Sequence, residues 1–485
     1  MPWCPAPNDD HEQRALMKGS MRMRSVVEPF DEDPEDPDGD RKKGAAQWSA
    51  HDALPLLVLT LCALIAVVLV ATGARMHEPT MYDLAAKLLW KNATVRPPVM
   101  LFFVVAGWAW VVRLCRSRGM KIELVLTGTV QPAAATQDAA LKLLCMLLLS
   151  HLIHLVASET GVLTWRPWFT CNVCLLLCVL ALGAMPLRAF HHEARLSLLR
   201  ALYESVTAPL GPVSFWHVIV ADYLTSLAKT FGDVQLTACI SWAILRGEAG
   251  ADEHVRTSEL WGSHHAACNQ SSLNALMLAL PFWWRLMQCF KVYSQTGEQK
   301  NLWNALKYST AFPLVYAGYL RKLDAGAAGQ DAAEDSWVHD RLFVLAAVVQ
   351  SSYCFVWDVL MDWGLPERGR AAGSGGGGDV CGWRMRGELL VTRDKALYAA
   401  LCAFNLVLRF TWTLTFLGAL PGRGGGMFCI ELLEIARRTV WAVFRIEWEL
   451  VHKGLGSRTA ASEADDLDAE ELQPLGEAHS KHLDD

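Results

Sequence analysis

The chain has no excess of positive charge: 44 Lys and Arg stand against 50 Asp and Glu in 485 residues, for a formal net charge of −6. No basic stripe interrupts that balance, so nothing in the charge pattern offers a nucleic-acid footprint. Charged residues amount to only 19%. No Gly-rich Walker-type loop ending in Lys-Ser or Lys-Thr occurs, which argues against a nucleotide-driven pump. The 14 cysteines lack the dense, even spacing of a disulfide scaffold. Many of them (Cys62, Cys145, Cys174, Cys178, Cys402) lie inside apolar runs, where a free thiol behaves as a small hydrophobe. Strict apolar–polar alternation is missing from the long segments, which excludes a transmembrane β-barrel. No internal repeat is visible. Residues 1–50 hold no hydrophobic run, and Asp31–Asp40 reads DEDPEDPDGD. That composition predicts a disordered acidic tail rather than a signal peptide.

What is present is hydrophobic length. Hydrophobic residues make up 52% of the chain, and there are 20 Trp, a residue enriched where helices meet the membrane interface. Leu54–Thr72 carries no charge over 19 residues. At about 1.5 Å per residue it spans a hydrocarbon core of roughly 30 Å. Similar stretches fall near Val99–Val112, Leu141–Ala157, Trp168–Met185, Leu273–Phe290, Ala305–Leu320, Leu342–Trp363, Ala396–Leu417 and Phe428–Leu450, with a longer charged run from Phe215 to Leu245. The expected fold is all-α, a polytopic transmembrane helical bundle of about ten spans. Its expected parts are the tail 1–50, N-terminal scaffold helices in 51–205, a charged transmembrane domain in 206–455 and a disordered acidic tail in 456–485.

Arg113, Arg116, Arg118 and Lys121 follow the second span, Arg188, Arg195 and Arg200 the fourth, and six basic residues lie in the loop from Pro366 to Lys395. Placing these in the cytosol puts both termini there. Arg75, Lys87, Lys91 and Arg96 then fall on the opposite side. So do two N-glycosylation sequons, Asn92-Ala93-Thr94 and Asn269-Gln270-Ser271. The glycine runs Gly373–Gly378 and Gly422–Gly426 read as flexible loop insertions.

Charges inside spans are the informative feature, because each costs about 2.5–3.5 kcal/mol at a helix centre and so tends to face a partner or a polar cavity. The first four spans are nearly clean, and the later ones are not. Asp222, Lys229 and Asp233 interrupt the fifth; Arg285 lies in the sixth, Lys307 in the seventh and Arg409 in the ninth. Asp358 and Asp362 share one face of the eighth, at (i, i+4). The last holds Glu431, Glu434, Arg437, Arg438, Arg445 and Glu447, of which Arg445 and Glu447 read as markers of its cytosolic end. Basic Lys307, Arg409, Arg437 and Arg438 beside acidic Asp222, Asp358 and Asp362 suggest an anion site with counter-charges. Arginine suits phosphate because its planar fork donates two parallel hydrogen bonds and stays charged. The alternative is that these groups pair with one another and lock the bundle.

The same segments resemble the EXS family, which includes the retrovirus-receptor phosphate exporters and the yeast ER-retention-defective protein. The likeness is carried by DYLTSLAKTFGD (Asp222–Asp233), PFWWRLMQCFKVYSQTG (Pro281–Gly297), NALKYSTAFPLVY (Asn304–Tyr316), WDVLMDWGL (Trp357–Leu365), NLVLRFTWTL (Asn405–Leu414) and EIARRTVWAVFRIEWE (Glu434–Glu449). It covers roughly residues 210–455. The resemblance implies that six C-terminal helices enclose a path for inorganic phosphate, lined by Asp222, Arg285, Lys307, Tyr308, Asp358, Asp362, Arg409, Trp412, Arg437 and Arg438. Where the exporters carry Asn three residues after the first Asp, this chain has Thr225, whose hydroxyl still hydrogen-bonds an oxyanion. The exporters' counterparts of Cys239 and Cys268 imply a disulfide in an oxidising lumen. A large Lys-rich SPX domain is expected to be absent, which aligns the chain with the yeast-type Golgi member that returns luminal phosphate to the cytosol.

The expected function is therefore facilitated phosphate movement in the Golgi membrane, with the plasma membrane as the second choice of location. It would support glycosyltransferase recycling and retention of luminal ER proteins. The rival is a non-conducting sorting adaptor for Golgi glycosyltransferases. An intramembrane metalloenzyme with a metal on either His151 and His154 or Cys171 and Cys174 is a weaker third reading, since a lone Cys-x-x-Cys in an apolar helix belongs to the core more often than to a metal site and no second pair completes a tetrahedral set. His191-His192 and His264-His265 read as loop residues. The chain is expected to be no enzyme and to need no cofactor and no metal. Its expected partners are inorganic phosphate, the bilayer, Golgi glycosyltransferases and a second copy of itself.

Overall fold

The computed structural model describes residues 96–126, 142, 192–208, 210–246, 264–324, 331–368, 383–416 and 425–455. The first span candidate, those at Leu141–Ala157 and Trp168–Met185, both tails, Asn92, His151, His154, Cys171 and Cys174 lie outside these residues.

The described residues are mostly helical. In chain order the helices are α1 (Arg96–Ser117), α2 (His192–Val206), α3 (Phe215–Ser226), α4 (Ala228–Leu245), α5 (Ser272–Thr296), α6 (Lys300–Ser309), α7 (Ala311–Asp324), α8 (Asp331–Trp357), α9 (Lys395–Arg409), α10 (Trp412–Phe416) and α11 (Gly425–His452). One small antiparallel sheet departs from the all-α expectation: β1 (Pro366–Arg368) pairs with β2 (Trp383–Met385), with Glu367 opposite Arg384. Residues 264–269 are helical, so His264 and His265 do not lie in a loop. Gly425 and Gly426, read as part of a loop insertion, already belong to α11.

Among the described residues, three helical stretches are long and apolar enough to cross a membrane: Arg96–Ser117, Ser336–Asp362 and Lys395–Leu414. Their outward faces carry exposed Trp110, Leu345, Val349, Val356 and Val407, apolar surface suited to lipid rather than water.

Local chemistry sets the helix ends. Pro97 and Pro98 occupy the first turn of α1, where a missing N–H loses no intrahelical bond. Ser214 and His217 form a reciprocal capping box at the start of α3: Ser214 Oγ accepts from the His217 N–H, and His217 Nδ1 accepts from the Ser214 N–H. Ser271 caps α5 through the Leu273 N–H, and Gly297, with φ 67°, closes it in the left-handed conformation. Asp394 caps α9 through the Ala396 N–H.

Helix α1 lies along α11. The approach is close at Gly107, where an added Cβ would meet Thr439 Oγ1 at 2.5 Å. Val111, Val112, Ile219, Tyr398, Trp441, Ile446 and Leu450 belong to one core cluster that joins α1, α3, α9 and α11, with Trp363 beyond α8. Arg96, which sequence alone leaves in a loop, is buried at the head of α1 and pairs with Asp233 and Glu431. Helix α1 is therefore packed into the bundle through buried charge as well as apolar contact.

Candidate functional site

Four long runs that read as continuous spans are interrupted in the structure, each beside a charged side chain. The Phe215–Leu245 run breaks at Leu227, between α3 and α4, just after Asp222. The Ala305–Leu320 run breaks at Thr310, after Lys307 and Tyr308. Helix α8 passes into a π-helical turn over Asp358–Asp362, and α9 stops at Arg409 before α10 begins at Trp412. Three of these breaks share one device. The hydroxyls of Thr225, Thr310 and Thr411 donate to the carbonyls of Asp222, Lys307 and Leu408, drawing those carbonyls away from the helical ladder. Backbone interrupted at membrane depth is tolerated where it lines a polar interior, and π-turns recur at functional sites.

The charged side chains at these breaks converge on α11 and α5. Asp222 accepts from Arg285 Nε at 2.9 Å and from the Tyr308 hydroxyl at 2.5 Å, both on Oδ1. Arg285 also donates to Gln288 Oε1 at 2.6 Å and lies over the Tyr308 ring. Asp358 Oδ2 receives Arg409 Nη2 at 2.7 Å and Asn405 Nδ2 at 3.0 Å, with Arg437 Nη1 at 3.5 Å. Arg437 forks onto Glu434, and Ser226 donates to the same carboxylate at 2.7 Å. Asp362 accepts from the indoles of Trp357 and Trp441 at 3.2 and 3.1 Å, while Lys307 and Arg445 approach it only to 3.8 Å. Although Asp358 and Asp362 share a turn, they therefore serve different partners.

Two cations make no hydrogen bond to a carboxylate among the described residues. Arg438 donates to Ser226 Oγ at 2.8 Å and Thr225 Oγ1 at 3.2 Å and lies over the Trp441 ring; no carboxylate among the described residues comes within ion-pair distance of it. Lys307 makes no hydrogen bond among the described residues and sits between the rings of Tyr308 and Trp357 at 4.4 and 5.3 Å. Counting Arg285, Lys307, Arg409, Arg437, Arg438, Arg445 and Lys453 against Asp222, Asp358, Asp362, Glu434 and Glu449, the network carries two positive charges in excess.

Ten of the eleven residues singled out from the sequence thus meet in one network. Trp412 stands at its edge, donating to Ser351 Oγ, which in turn donates to the Arg409 carbonyl. Sequence reasoning missed Ser226, Gln288, Asn405, Glu434 and Trp441 as partners. Glu434 stands three residues before Arg437 and Asn405 four before Arg409, which is the signal that could have found them. Away from the network, Cys239 and Cys268 form a disulfide that ties α4 to the segment before α5. The sequon residue Asn269 is half-buried, and its side-chain oxygen accepts from Lys322 at 3.0 Å. Glu447, read as a marker of the helix end, is fully buried against Arg386.

The model of the EXS family matches residues 93–451. The chain belongs to the EXS family. Among curated proteins, this EXS chain is 26% identical over 359 residues to "SPX and EXS domain-containing protein 1" of Dictyostelium discoideum, covering 71% of this chain and 36% of that protein. It is 28% identical over 284 residues to the "Xenotropic and polytropic retrovirus receptor 1 homolog" of Danio rerio and 28% identical over 270 residues to "Solute carrier family 53 member 1" of Homo sapiens. Those two matches each cover 54% of this chain and 36% of the relative. The chain thus spans little more than a third of the length of the curated relatives it matches.

Proposed function

We propose that this EXS membrane protein conducts inorganic phosphate along the buried network between α3, α5, α6, α9 and α11. The observation that carries this reading is Arg438, a buried cation held by hydroxyls and an aromatic ring with no carboxylate at ion-pair distance among the described residues; Lys307, set between two rings, has only Asp362 at 3.8 Å. A network built only to lock helices would pair its charges, because an uncompensated buried charge is strongly destabilising. One with a surplus cation suits an oxyanion that arrives, exchanges hydrogen bonds with the guanidinium forks and leaves. Arg285 and Arg409, clamped by Asp222 and Asp358, act as the fixed walls, and Thr225 and Ser226 orient Arg438. Trp412, through Ser351, steadies the α9–α10 break.

The segments DYLTSLAKTFGD and EIARRTVWAVFRIEWE, shared in pattern with the phosphate exporters and the yeast ER-retention-defective protein, supply the walls of this path. The wider arrangement we propose has about ten spans, a scaffold in 51–205 and the conducting domain in 206–455. A Golgi location with return of luminal phosphate to the cytosol suits this arrangement, since glycosylation releases phosphate there and a gradient drives exit without ATP. Support for glycosyltransferase recycling would follow from that flux. Reconstituted in liposomes, the full chain should pass phosphate, and an Arg437→Ala, Arg438→Ala variant should lose that flux. Equal flux from both sinks the reading. A fluorescent fusion imaged against Golgi and plasma-membrane markers tests the location.

A further inference from the structure

A second buried polar cluster lies outside the network just described. Arg96 Nε at the head of α1 stands 3.2 Å from Asp233 Oδ2, and its Nη1 stands 3.5 Å from Glu431 Oε1 on α11. Lys229 holds the other oxygen of Asp233 at 2.9 Å. Asp233 is fully buried, and Arg96 and Glu431 are more than nine-tenths buried. The two carboxylates are not equally served. Asp233 has two cations against it. Glu431 has one guanidinium at 3.5 Å, which it shares with Asp233, and neither of its oxygens accepts a hydrogen bond among the described residues.

The cluster continues the deep network along the same two elements. On the α3–α4 side the polar positions run Asp222, Thr225, Ser226, Lys229, Asp233; on α11 they run Arg438, Glu434, Glu431. Glu434, one turn from Glu431, is already bonded to Ser226 and Arg437. The cluster also lies toward the end of α4 that carries the Cys239–Cys268 disulfide, Asp233 being six residues or about 9 Å of helix from Cys239. It stands between the deep site and the face on which the disulfide sits.

With all four groups charged the cluster is neutral, and the Arg96 guanidinium is shared by two carboxylates. One proton on Glu431 leaves the cluster with a net positive charge and releases one edge of Arg96. We propose that Glu431 is a proton-binding site that opens this cluster as a second station for the phosphate oxyanion, so that protons on the disulfide side promote its entry. The inference rests on the phosphate reading of the deep network. A buried carboxylate that accepts no hydrogen bond and shares its one counter-charge with a second carboxylate relieves its desolvation by taking up a proton. The groups facing Glu431 from neighbouring elements are Arg96 of α1 and Lys229 and Asp233 of α4; His265 and Lys322 lie within electrostatic reach of Lys229 and Asp233. No covalent step is involved: the proton goes onto a Glu431 carboxyl oxygen and leaves from it.

The test uses the full chain in liposomes, with inorganic phosphate and the pH on the disulfide side stepped from mildly acidic to mildly alkaline. Phosphate titrates in the same range, so the informative quantity is the part of the pH dependence that Glu431→Gln removes. Wild-type flux should fall as the pH rises. Glu431→Gln, neutral and of the same shape, should stay near the acidic-side level throughout, and Glu431→Asp should restore the dependence. A Gln variant that follows the wild-type profile overturns the proposal. A flux-independent arm keeps the two readings apart: infrared difference spectra of the purified protein should show a protonated carboxyl band at mildly acidic pH that Glu431→Gln lacks. Absence of that band overturns the proton site whatever the flux does. Presence of the band in a chain that passes no phosphate would instead overturn the transport reading.

Discussion

Helix α11 carries two buried glutamates at its two ends, and they are treated in opposite ways. Glu447 is saturated: Oε1 accepts from the Leu390 and Val391 N–H groups and the Tyr398 hydroxyl, and Oε2 from Arg386 at 2.6 Å. Glu431, sixteen residues or about 24 Å away along the helix, has no hydrogen bond among the described residues. Burial alone therefore does not distinguish a structural charge from a working one. The number of donors each carboxylate keeps does. A fully bonded buried ion is fixed in one state, whereas a partly bonded one is free to exchange partners or protons.

The sharpest way to break this comparison is at the saturated end. Glu447→Ala strands the Arg386 guanidinium, which also donates to the Trp363 carbonyl, together with three other donors. The expected loss is about 3–5 kcal/mol of stability, read as a collapse of the thermal transition in detergent. Next to this pair, Gly364 has a φ of 53°, and a Cβ there would run into the Trp448 indole. Gly364→Ala should lower stability by about 1–3 kcal/mol. If either variant melts like the wild type, the hairpin end is not the anchor it is taken for.

The two adjacent arginines sharpen the contrast within the deep network. Arg437 is tied to Glu434, Asn405 and Asp358, so Arg437→Ala should reduce both stability and flux. Arg438 is held by two hydroxyls and a ring, so Arg438→Ala should leave the melting temperature within a few degrees while flux falls about tenfold or more. Smaller again is Thr225→Val, which removes one donor–acceptor hydroxyl between Asp222 and Arg438. One such bond is worth about 1 kcal/mol, or about a fivefold loss of flux.

These distinctions were only partly legible in the sequence. The charged residues of WDVLMDWGL and EIARRTVWAVFRIEWE stand out because charge in an apolar run is expensive, and that found the network. Hydrophobic length could not show that the runs through Leu227, Thr310 and Phe410 break, because an interruption of one or two residues leaves composition and periodicity unchanged. Threonine three residues after the affected carbonyl is a weak signal, since Ser and Thr also sit within unbroken helices. Arg96 was illegible for another reason: its partners Asp233 and Glu431 are more than a hundred residues away, and position at a span end reads as a loop. Glu447 was misread because a charge near a helix terminus is solvated more often than buried.

The smallest expected effect is the one on which the comparison turns. Glu431→Gln removes a buried negative charge that has no hydrogen bond to lose and one guanidinium at 3.5 Å to release. The lost attraction to Arg96 and the avoided desolvation of the carboxylate oppose each other, and Asp233 still holds Arg96 at 3.2 Å. Stability should therefore stay within about 0.5 kcal/mol of the wild type, the range of substitutions that break no specific feature. Thermal melts of Glu431→Gln and Glu447→Ala in the same detergent measure this directly. A loss at Glu431 as large as that at Glu447 would make both glutamates locks, and the proton-binding role of Glu431 would fall with the distinction between them.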